Sequence, residues 1–457
     1  MENQTPKSRR GAARKSSSLK WFAIGGAILL VGLLIYQIPF VKSRLAWRVE
    51  DLRTRVVYFF NPPDEAIFVP QEQNLPTPVI DSASTQPTSS GAASVTSTPA
   101  VTLAPLPPSA NLEGVVYVDQ HGGWNLCGPA NLTMALKYWG WGGDRNEVTA
   151  YVKPGVNTPG LDAVERGRPD KNVMPYEMED FVDSQVEGMQ AVLRVGGELD
   201  EIKRLIAAGF PVVVEKGYSE RDASGKISWL GHYLFVTGYD DAGGYFIVQD
   251  AYLRSGEDGT GANLHSSYEE FTSQWRAFNY LFMVVYPEDR LDEVITALGP
   301  WADEQWANAH ALEIAEAEAN ALTGLDQYFA WFNVGSSHVR LFQYVDAASA
   351  YDLAFQLYAG LDNDEASRPY RMMWYQTGPY FAYYYSGRYQ DTISLANTTL
   401  FDTIAEPTLE ESLYWRGLAY EALGQIDNAI ADYRETVRLN PNFGPGWAQL
   451  ERLGLSG

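Results

Sequence analysis

The sequence predicts a single N-terminal transmembrane helix, an α+β domain over residues 111–288, and an all-α domain of helical repeats over residues 289–457. Three observations support this division. An apolar run lies near the N-terminus, strand-type and helix-type hydrophobic patterns alternate in the middle of the chain, and the strand patterns end near Leu291. A chain of 457 residues is long enough for two or three domains.

The region before the α+β domain reads as a tail, an anchor and a linker. Residues 1–20 are polar and basic and are predicted to form a cytoplasmic tail. Residues 21–41 are apolar except for Gln37 and are long enough to cross a bilayer as an uncleaved signal anchor. A juxtamembrane segment, 42–70, and a linker rich in Pro, Ser, Thr and Ala, 71–110, follow. We therefore expect a single-pass membrane protein whose later domains are extracytoplasmic.

Charge and composition exclude several classes of function. The formal net charge is −23, with +8 in residues 1–55 and −31 in the remainder, so nucleic acid is an unfavourable partner. Neither a phosphate-binding loop nor a dinucleotide motif occurs, and the five histidines show no metal-ligand spacing. Because Cys127 is the only cysteine, intrachain disulfides and zinc sites with several thiolates are excluded. We expect no cofactor and no metal.

The stretch around Cys127 is predicted to carry the chemistry. A β-branched and aromatic run, Val115–Val118, predicts a short strand, and a Gly-rich turn leads into a helix that begins at Cys127 or Gly128. Pro129 suits the first helical turn, where its missing N–H costs nothing. A cysteine at a helix N-terminus lies near the positive end of the helix dipole, which favours the thiolate and therefore a nucleophile.

Gln120 lies seven residues before Cys127 and is a candidate partner for it. A side-chain amide together with the backbone N–H of a nucleophile can stabilise a tetrahedral oxyanion. The alternative interpretation of Cys127 is a small buried hydrophobic residue, which is the commoner role of a lone cysteine. The residues elsewhere in the chain that could act with the thiol distinguish a reactive cysteine from a buried one.

A second informative stretch predicts a β-hairpin from His232 to Asp250. The residues Asp241–Gly243 are expected to form a three-residue loop with its glycine in the left-handed conformation. In that register Asp240 pairs with Gly244. A four-residue loop would instead reverse the face of the sheet on which Asp250 lies.

The predicted register places Asp250 diagonal to His232 on one face of the sheet. Diagonal neighbours are roughly 7–8 Å apart at the backbone, a gap that polar side chains can bridge. Asp250 can then orient the imidazole of His232 toward a thiol. The alternatives are a core histidine bonded to a carbonyl and an aspartate that caps a turn. Other candidates of lower rank are Asp240, Asp241, His121 and His265.

These residues resemble a known family of proteins. The order Gln120, Cys127-Gly128-Pro129-Ala130, Tyr138-Trp139-Gly140, Gly231-His232, Gly238-Tyr239-Asp240 and Asp250 is similar to that of the papain-like bacteriocin-processing peptidases, which cut after double-glycine leaders. The resemblance spans residues 112–288. It implies that Cys127 is the nucleophile, His232 the general base and then acid, Asp250 the orienting group and Gln120 the oxyanion donor. No ATP motif accompanies the region, so we do not expect a double-glycine substrate.

The C-terminal third resembles tetratricopeptide repeats, in which small residues let paired helices touch and aromatic residues fill the gaps. An Ala/Glu-rich helix over 301–322 precedes three units. Their characteristic positions are Trp331, Val334, Gly335, Ala347, Tyr351 and Ala354; Gly378, Phe381 and Gly387; and Gly417, Tyr420, Gly424, Ala429, Tyr433 and Pro441. A groove for a protein partner and a purely structural helical cap are both open interpretations.

The function that the residues favour is a membrane-anchored cysteine peptidase with a Cys-His-Asp triad, acting on a peptide or protein substrate. The alternative from another class is a catalytically inactive papain-like scaffold. A third possibility is acyl transfer or deamidation by the same thiolate, which the sequence does not separate from proteolysis.

Overall fold

The structure is a computed structural model of the chain. It describes residues 67–71, 105–123, 125–155, 171–221, 227–256, 258–361, 368–402 and 409–455, with scattered positions between 25 and 56. The chain divides into two units, Met1–Thr54 and Arg55–Gly457, and the elements given below belong to the second. The predicted tail, much of the predicted transmembrane helix and most of the linker lie outside the described residues. Within the described residues, no helix has both the length and the apolar character needed to span a bilayer.

The middle of the chain forms an antiparallel sheet. Its seven described strands are Ser109–Asn111 (β1), Met189–Arg194 (β2), Val212–Arg221 (β3), Ile227–Asp240 (β4), Tyr245–Gln249 (β5), Leu264–Ser267 (β6) and Phe282–Pro287 (β7). The strand order is β2-β7-β3-β4-β5-β6, and β1 pairs with the last residues of β4 on the edge opposite to β5. The described helices of this region are Cys127–Tyr138 (α1), Arg145–Val152 (α2), Pro175–Gln185 (α3), Leu199–Ala207 (α4) and Tyr268–Arg276 (α5). The predicted α+β class is confirmed.

Helices cover both faces of the sheet because successive strand residues point to opposite sides. Val213 and Phe235 pack in one core with residues of α1 and α3. Val214 and Leu234 pack in a second core with residues of α4 and α5. With both faces buried, the strands read as nearly continuous apolar runs rather than alternating ones.

The segment before α1 differs from the prediction. Residues 115–118 were expected to form a strand, but the chain from Leu112 to His121 has no strand after β1 ends at Asn111. Individual contacts hold it instead: the Tyr117 hydroxyl donates to the Asp250 carbonyl at 3.0 Å. The local β-type composition was therefore overridden by long-range contacts.

The loop of the β4–β5 hairpin also differs from the prediction. Asp240 pairs with Tyr245 rather than with Gly244, so the loop has four residues. Gly244, not Gly243, adopts the left-handed conformation, with φ 69°. The Asp240 carboxylate accepts hydrogen bonds from the N–H groups of Ala242 and Gly243 at 2.9 and 3.2 Å, which closes this longer loop.

A β-bulge at Thr237 restores the predicted register. Thr237 has no partner on β5, and pairing continues from Gly238 to Val236. The unpaired residue in β4 compensates for the extra residue in the loop. The carbonyl of Thr237 still has a hydrogen-bond partner, since it accepts the N–H of Leu112 at 2.8 Å. Beyond the bulge, Asp250 lies diagonal to His232, as the sequence predicted.

From Leu291 onward the described chain is helical, as expected. Its helices are Leu291–Leu298 (α6), Glu304–Ala321 (α7), Gly324–Arg340 (α8), Tyr344–Gly360 (α9), Met372–Tyr375 (α10), Gly378–Tyr385 (α11), Tyr389–Asn397 (α12), Glu410–Ala422 (α13), Ile426–Leu439 (α14) and Gly444–Arg452 (α15). Single 3₁₀ turns at Glu288–Arg290 and Gly299–Ala302 flank α6, and a π-helical turn at Thr398–Asp402 continues α12.

Glycines allow the paired helices to approach, as the repeat pattern predicted. A Cβ atom on Gly335 would lie 2.7 Å from the Tyr351 ring, and one on Gly417 would lie 2.7 Å from the Tyr433 ring. Both tyrosines are fully buried. The same close contact between a glycine and a tyrosine ring thus occurs in the first and the third unit.

The helical domain and the sheet domain share one apolar core. The Trp229 ring of β4 stacks on Phe278 at 5.6 Å and also contacts Phe329 of α8 and Tyr375 of α10. Because these side chains are continuous with the core of the repeats, the repeats are held against the sheet.

Candidate active site

Cys127 is the first residue of α1 and is half-buried. The N-cap residue, Leu126, provides no side-chain hydrogen bond to the helix. The backbone N–H of Gly128 is directed to the sulfur instead. A Cβ atom on Gly128 would lie 3.2 Å from both Met178 and Val173, so a larger residue would press against that wall and disturb the cysteine.

Asn131 connects the start of α1 to β4. Its side-chain NH₂ donates to the carbonyl of Cys127 at 2.8 Å and to the carbonyl of Tyr233 at 3.0 Å. The residue is completely buried. A buried amide that joins two backbone carbonyls sets the distance between the elements that carry them. Asn131 therefore brings the cysteine next to the strand that bears His232.

His232 and Asp250 form the pair that the hairpin register predicted. Nε2 of the imidazole lies 2.9 Å from Oδ1 of Asp250, and the two side chains are only 4% and 3% exposed. The His232 side chain also hydrogen-bonds to Cys127. Since Asp250 engages Nε2, Nδ1 is the nitrogen left for the thiol. The structure thus brings together sulfur, imidazole and carboxylate from three distant positions.

The electrostatics of this cluster favour a charged pair. Burial alone raises the pKa of the Cys127 thiol, but the hydrogen bond and charge of His232 outweigh it, and the pKa lies below its ordinary value. Burial alone lowers the pKa of His232, yet the Asp250 carboxylate and Cys127 raise it to about 9. Burial also opposes ionisation of Asp250, but the charge of His232 holds its pKa well below the usual range. Both shifts act in the direction of a thiolate–imidazolium pair.

Several backbone groups fix Asp250. Its carboxylate accepts the N–H groups of Tyr252 and Leu253 at 2.9 and 3.0 Å, and its own N–H donates to Gly261 at 2.8 Å. A Cβ atom on Gly261 would lie 1.9 Å from the Asp250 carbonyl oxygen, so only glycine fits there without a backbone shift. Tyr117 donates to that same oxygen from the segment before α1.

Gln120 lies next to the end of β5. Its backbone N–H donates to the Ala251 carbonyl, one residue beyond Asp250, at 2.9 Å. Its side-chain oxygen is buried and is one of the polar atoms in the described part of the chain that have no hydrogen-bond partner. An amide oxygen only accepts hydrogen bonds, so this position is open to a donor; donation to an oxyanion would fall to the NH₂ of the same side chain. The sequence reasoning did not foresee that Gln120 is positioned through the Asp250 segment.

Glu215 is a buried carboxyl beside the cluster that the sequence analysis missed. Burial, and then the charge of Cys127, raise its pKa well above the usual range. Its side chain hydrogen-bonds to Tyr233, whose hydroxyl donates to the Val173 carbonyl at 3.0 Å. Because that hydroxyl proton is already used, a protonated Glu215 is the natural donor to Tyr233. Burial therefore favours the neutral form of Glu215, which would add no second negative charge next to Cys127.

Tyr375 is a second residue that the sequence analysis missed, and it comes from the helical domain. Its ring would lie 2.8 Å from a Cβ atom on Gly231, the residue before His232. Its hydroxyl hydrogen-bonds to the backbone of Gly231. Burial raises the pKa of Tyr375 to about 12, and the charge of Cys127 acts in the same direction. The sequence signal for it is weak, since the apolar and aromatic run Met372–Tyr375 is equally typical of a core.

The lower-ranked candidates have structural roles. Asp240 closes the hairpin loop, and Asp241 forms an ion pair with Lys203 at 2.8 Å. His121 contacts the Asp119 carboxylate at 3.0 Å, and its ring stacks on Tyr252. His265 is exposed on β6, where its ring stacks on that of Tyr245 at 3.8 Å.

The site thus combines a helix that starts at a cysteine, a histidine on β4 and a carboxylate directly after β5, all packed on one antiparallel sheet. Comparison with known proteins agrees: residues 112–283 match the Peptidase_C39 like family, and residues 410–443 match the tetratricopeptide repeat. The chain therefore carries a C39-peptidase-like domain followed by a region with a tetratricopeptide repeat. Both resemblances that the sequence suggested are confirmed.

Other comparisons add less. No curated protein matches the chain. Among solved structures, xylellain, a cysteine protease from Xylella fastidiosa, shows 13% sequence identity and a TM-score of 0.27, over 40% of this chain and 87% of that chain.

Proposed function

We propose that this protein is a cysteine peptidase that hydrolyses peptide bonds through Cys127, His232 and Asp250, with Gln120 as an oxyanion donor. The observation that carries the proposal is the continuous contact from Asp250 through His232 to a half-buried cysteine at a helix start. A structural cysteine has no need of a buried imidazole and a buried carboxylate, because both cost free energy to desolvate.

The proposed reaction begins with attack of the Cys127 thiolate on the carbonyl carbon of the scissile bond. The oxyanion that forms is stabilised by the Gln120 amide and by a backbone N–H at the start of α1. His232 gives its Nδ1 proton to the leaving amine, and an acyl-thioester remains on Cys127. Water then attacks the thioester while His232 accepts its proton, which releases the acid and restores the ion pair. Asp250 holds the imidazole in orientation throughout.

The decisive experiment is cleavage of a peptide library by the full-length chain in detergent, compared with Cys127→Ala. Hydrolysis by the wild type that is lost in the variant supports the proposal. The exposed His265 serves as a matched control, since His265→Ala should cleave like the wild type. If wild-type protein cleaves nothing and iodoacetamide labels Cys127 only as fast as free cysteine, an inactive scaffold is the correct interpretation. Cleavage products distinguish hydrolysis from acyl transfer or deamidation.

The helical region is proposed to bind a protein or peptide partner. A cleft of about 550 Å³ separates it from α2 and α3, and aromatic side chains such as Tyr176, Phe381, Tyr385 and Trp415 line it. Aromatic clefts favour binding because large rigid rings bury much surface at little entropic cost. A photo-crosslinking residue at the exposed Tyr385 should capture a partner in cells, whereas one at the exposed Phe342 should not.

We also propose that the chain is anchored in a membrane by residues 21–41, with both globular domains on the extracytoplasmic side. The support is the apolar run and the Pro/Ser/Thr-rich linker that follows it. Protease added to intact cells should digest the domain that contains Cys127 if this orientation is correct. Protection until the cells are opened would show the opposite orientation.

A further inference from the structure

A short segment upstream of the sheet domain, Ile67–Gln71, lies against the helical repeats. Phe68 is buried, with 5% of its surface exposed, whereas Ile67 and Val69 are 40% and 68% exposed. Side chains of an extended chain point alternately to opposite sides. One side chain of this segment therefore enters the repeats while its neighbours face solvent.

An aromatic pocket receives Phe68. The ring meets Phe355 of α9 edge-on at 5.0 Å and lies 6.0 Å from the Tyr383 ring of α11. Other residues around it are Tyr328, Tyr358, Met372 and Leu395. We call this set of residues the Phe68 pocket. It is built from four helices, α8 to α10 and α12, together with the Tyr383 ring of α11, and so it forms only when the repeats have stacked.

Charged groups next to the pocket bind the backbone of the segment. The N–H of Gln71 donates to Oδ1 of Asp391 at 2.7 Å, and Nη2 of Arg388 donates to the Gln71 carbonyl at 3.5 Å. Arg388 is itself held by Asp391 at 2.8 Å and by Asp352 at 2.6 Å. Asp391 and Arg388 are both buried, and each holds the other in place through their ion pair. Contacts to backbone atoms recognise an extended chain of any sequence.

We propose that the helical repeats carry a peptide-binding site for an extended segment with one aromatic anchor, and that residues 67–71 of this chain occupy it. Phe68 supplies the anchor, and the backbone of Gln71 supplies the polar contact three residues later. The proposal does not depend on peptidase activity, since none of these residues touches the Cys127 cluster.

One consequence concerns the Pro/Ser/Thr-rich linker. At its far end, Ser109–Asn111 pair with β4, and the Pro107 carbonyl accepts the Tyr239 hydroxyl at 2.8 Å. Both ends of residues 72–104 are thus attached to the same unit.

Amide hydrogen exchange on the full-length chain in detergent tests occupancy of the site. The background variant Cys127→Ala keeps the readout independent of any hydrolysis by the protein. The Gln71 amide should exchange slowly, and Phe68→Ala should speed its exchange by roughly tenfold or more, because loss of an anchoring ring exposes the segment. Ile67→Ala is the matched control and should leave the rate unchanged. A Gln71 amide that exchanges equally fast in all three proteins would overturn the proposal.

A second experiment tests the site when its own segment is removed. A fluorescent peptide with the sequence of residues 64–74 should bind the Phe68→Ala chain, where the pocket is empty. Binding to the unmutated chain should be at least about tenfold weaker, because the attached segment competes at a high effective concentration. The same peptide with Phe68→Ala should bind neither. Equal binding to both chains, or none up to millimolar peptide, would refute a peptide-binding site.

Discussion

Among the buried clusters of charged side chains in the described part of this protein, two differ clearly in what they leave unsatisfied. In the first, His232 and Asp250 meet a half-buried Cys127, and the Gln120 side-chain oxygen next to them has no partner in the described chain. In the second, Lys171 lies between two carboxylates. Its Nζ is 2.7 Å from Glu177 of the sheet domain and 3.0 Å from Glu410 of the helical domain. The first cluster retains a reactive group and spare hydrogen-bonding capacity.

The second cluster is saturated. Asn440 donates to both carboxylates at 3.1 and 2.8 Å, and the N–H of Met174 donates to Glu177 at 2.9 Å. Lys171 is 2% exposed, and burial is outweighed by the two carboxylates, so its pKa is raised and it stays charged. The comparison teaches that burial and ion pairing alone do not identify a reactive site. What distinguishes the Cys127 cluster is a half-buried thiol with a lowered pKa and an amide oxygen without a partner.

The largest effect is expected at the imidazole of the first cluster. His232→Ala should slow peptide hydrolysis on the order of 10⁴-fold, because the thiolate loses its counter-ion and the leaving amine loses its proton donor. His232 is also what reverses the effect of burial on Cys127, so the variant thiol should have a raised pKa. The acid limb of iodoacetamide alkylation, followed between about pH 5 and pH 9, should therefore move to higher pH.

The wild-type pH profile gives the control for this prediction. Because the pKa of His232 is raised to about 9, the imidazolium persists up to that pH, and hydrolysis should decline only above it. The lowered pKa of Cys127 should keep alkylation fast below the pH at which free cysteine ionises. An alkylation profile identical in wild type and His232→Ala would contradict the proposed ion pair.

The next largest effect is expected in the saturated cluster, and it concerns stability rather than chemistry. Lys171→Met should lower the free energy of unfolding by about 3–5 kcal/mol, since it leaves Glu177 and Glu410 buried without a counter-charge. Denaturant titration measures this loss. In the protein that remains folded, alkylation of Cys127 should proceed at nearly the wild-type rate. A large change in that rate with little loss of stability would erase the distinction between the clusters.

A smaller effect is expected where the helical domain touches the first cluster. Tyr375→Ala removes the ring that packs on Gly231, so His232 loses support and kcat/KM should fall by about tenfold. Tyr375→Phe keeps the ring and should lose only a fewfold. The ratio of the two variants separates packing from the hydroxyl contact. Equal activity of Tyr375→Ala and wild type would show that the repeats do not support the site.

The smallest effect is expected for the neutral carboxyl beside the thiolate. Glu215→Gln replaces a protonated acid with an amide of the same shape, so hydrolysis should stay within about twofold of wild type. An ionised Glu215 would give a different result. Its removal would then relieve repulsion and move the acid limb of the Cys127 alkylation profile to lower pH.

The local features of the site could be predicted closely from the sequence. The helix was expected at Cys127 or Gly128 and begins at Cys127. The His232–Asp250 pair was also expected, although the predicted length of the hairpin loop between them was wrong. The loop is one residue longer than predicted, and the bulge at Thr237 compensates for the difference. The bulge could not be foreseen, because it depends on the β1 segment that arrives from far along the chain to use the Thr237 carbonyl.

What the amino-acid order determined by itself is the chemistry that short segments carry: a thiol at a helix start, a histidine and an aspartate on one hairpin, and glycines where tyrosine rings must pack. These follow from propensities and periodicities that act over a few residues. Only the tertiary structure decided the burial of Glu215 beside Cys127, the approach of Tyr375 to Gly231, and the burial of Lys171 between two domains. Each of these depends on desolvation and on contacts between distant residues, which no local pattern encodes.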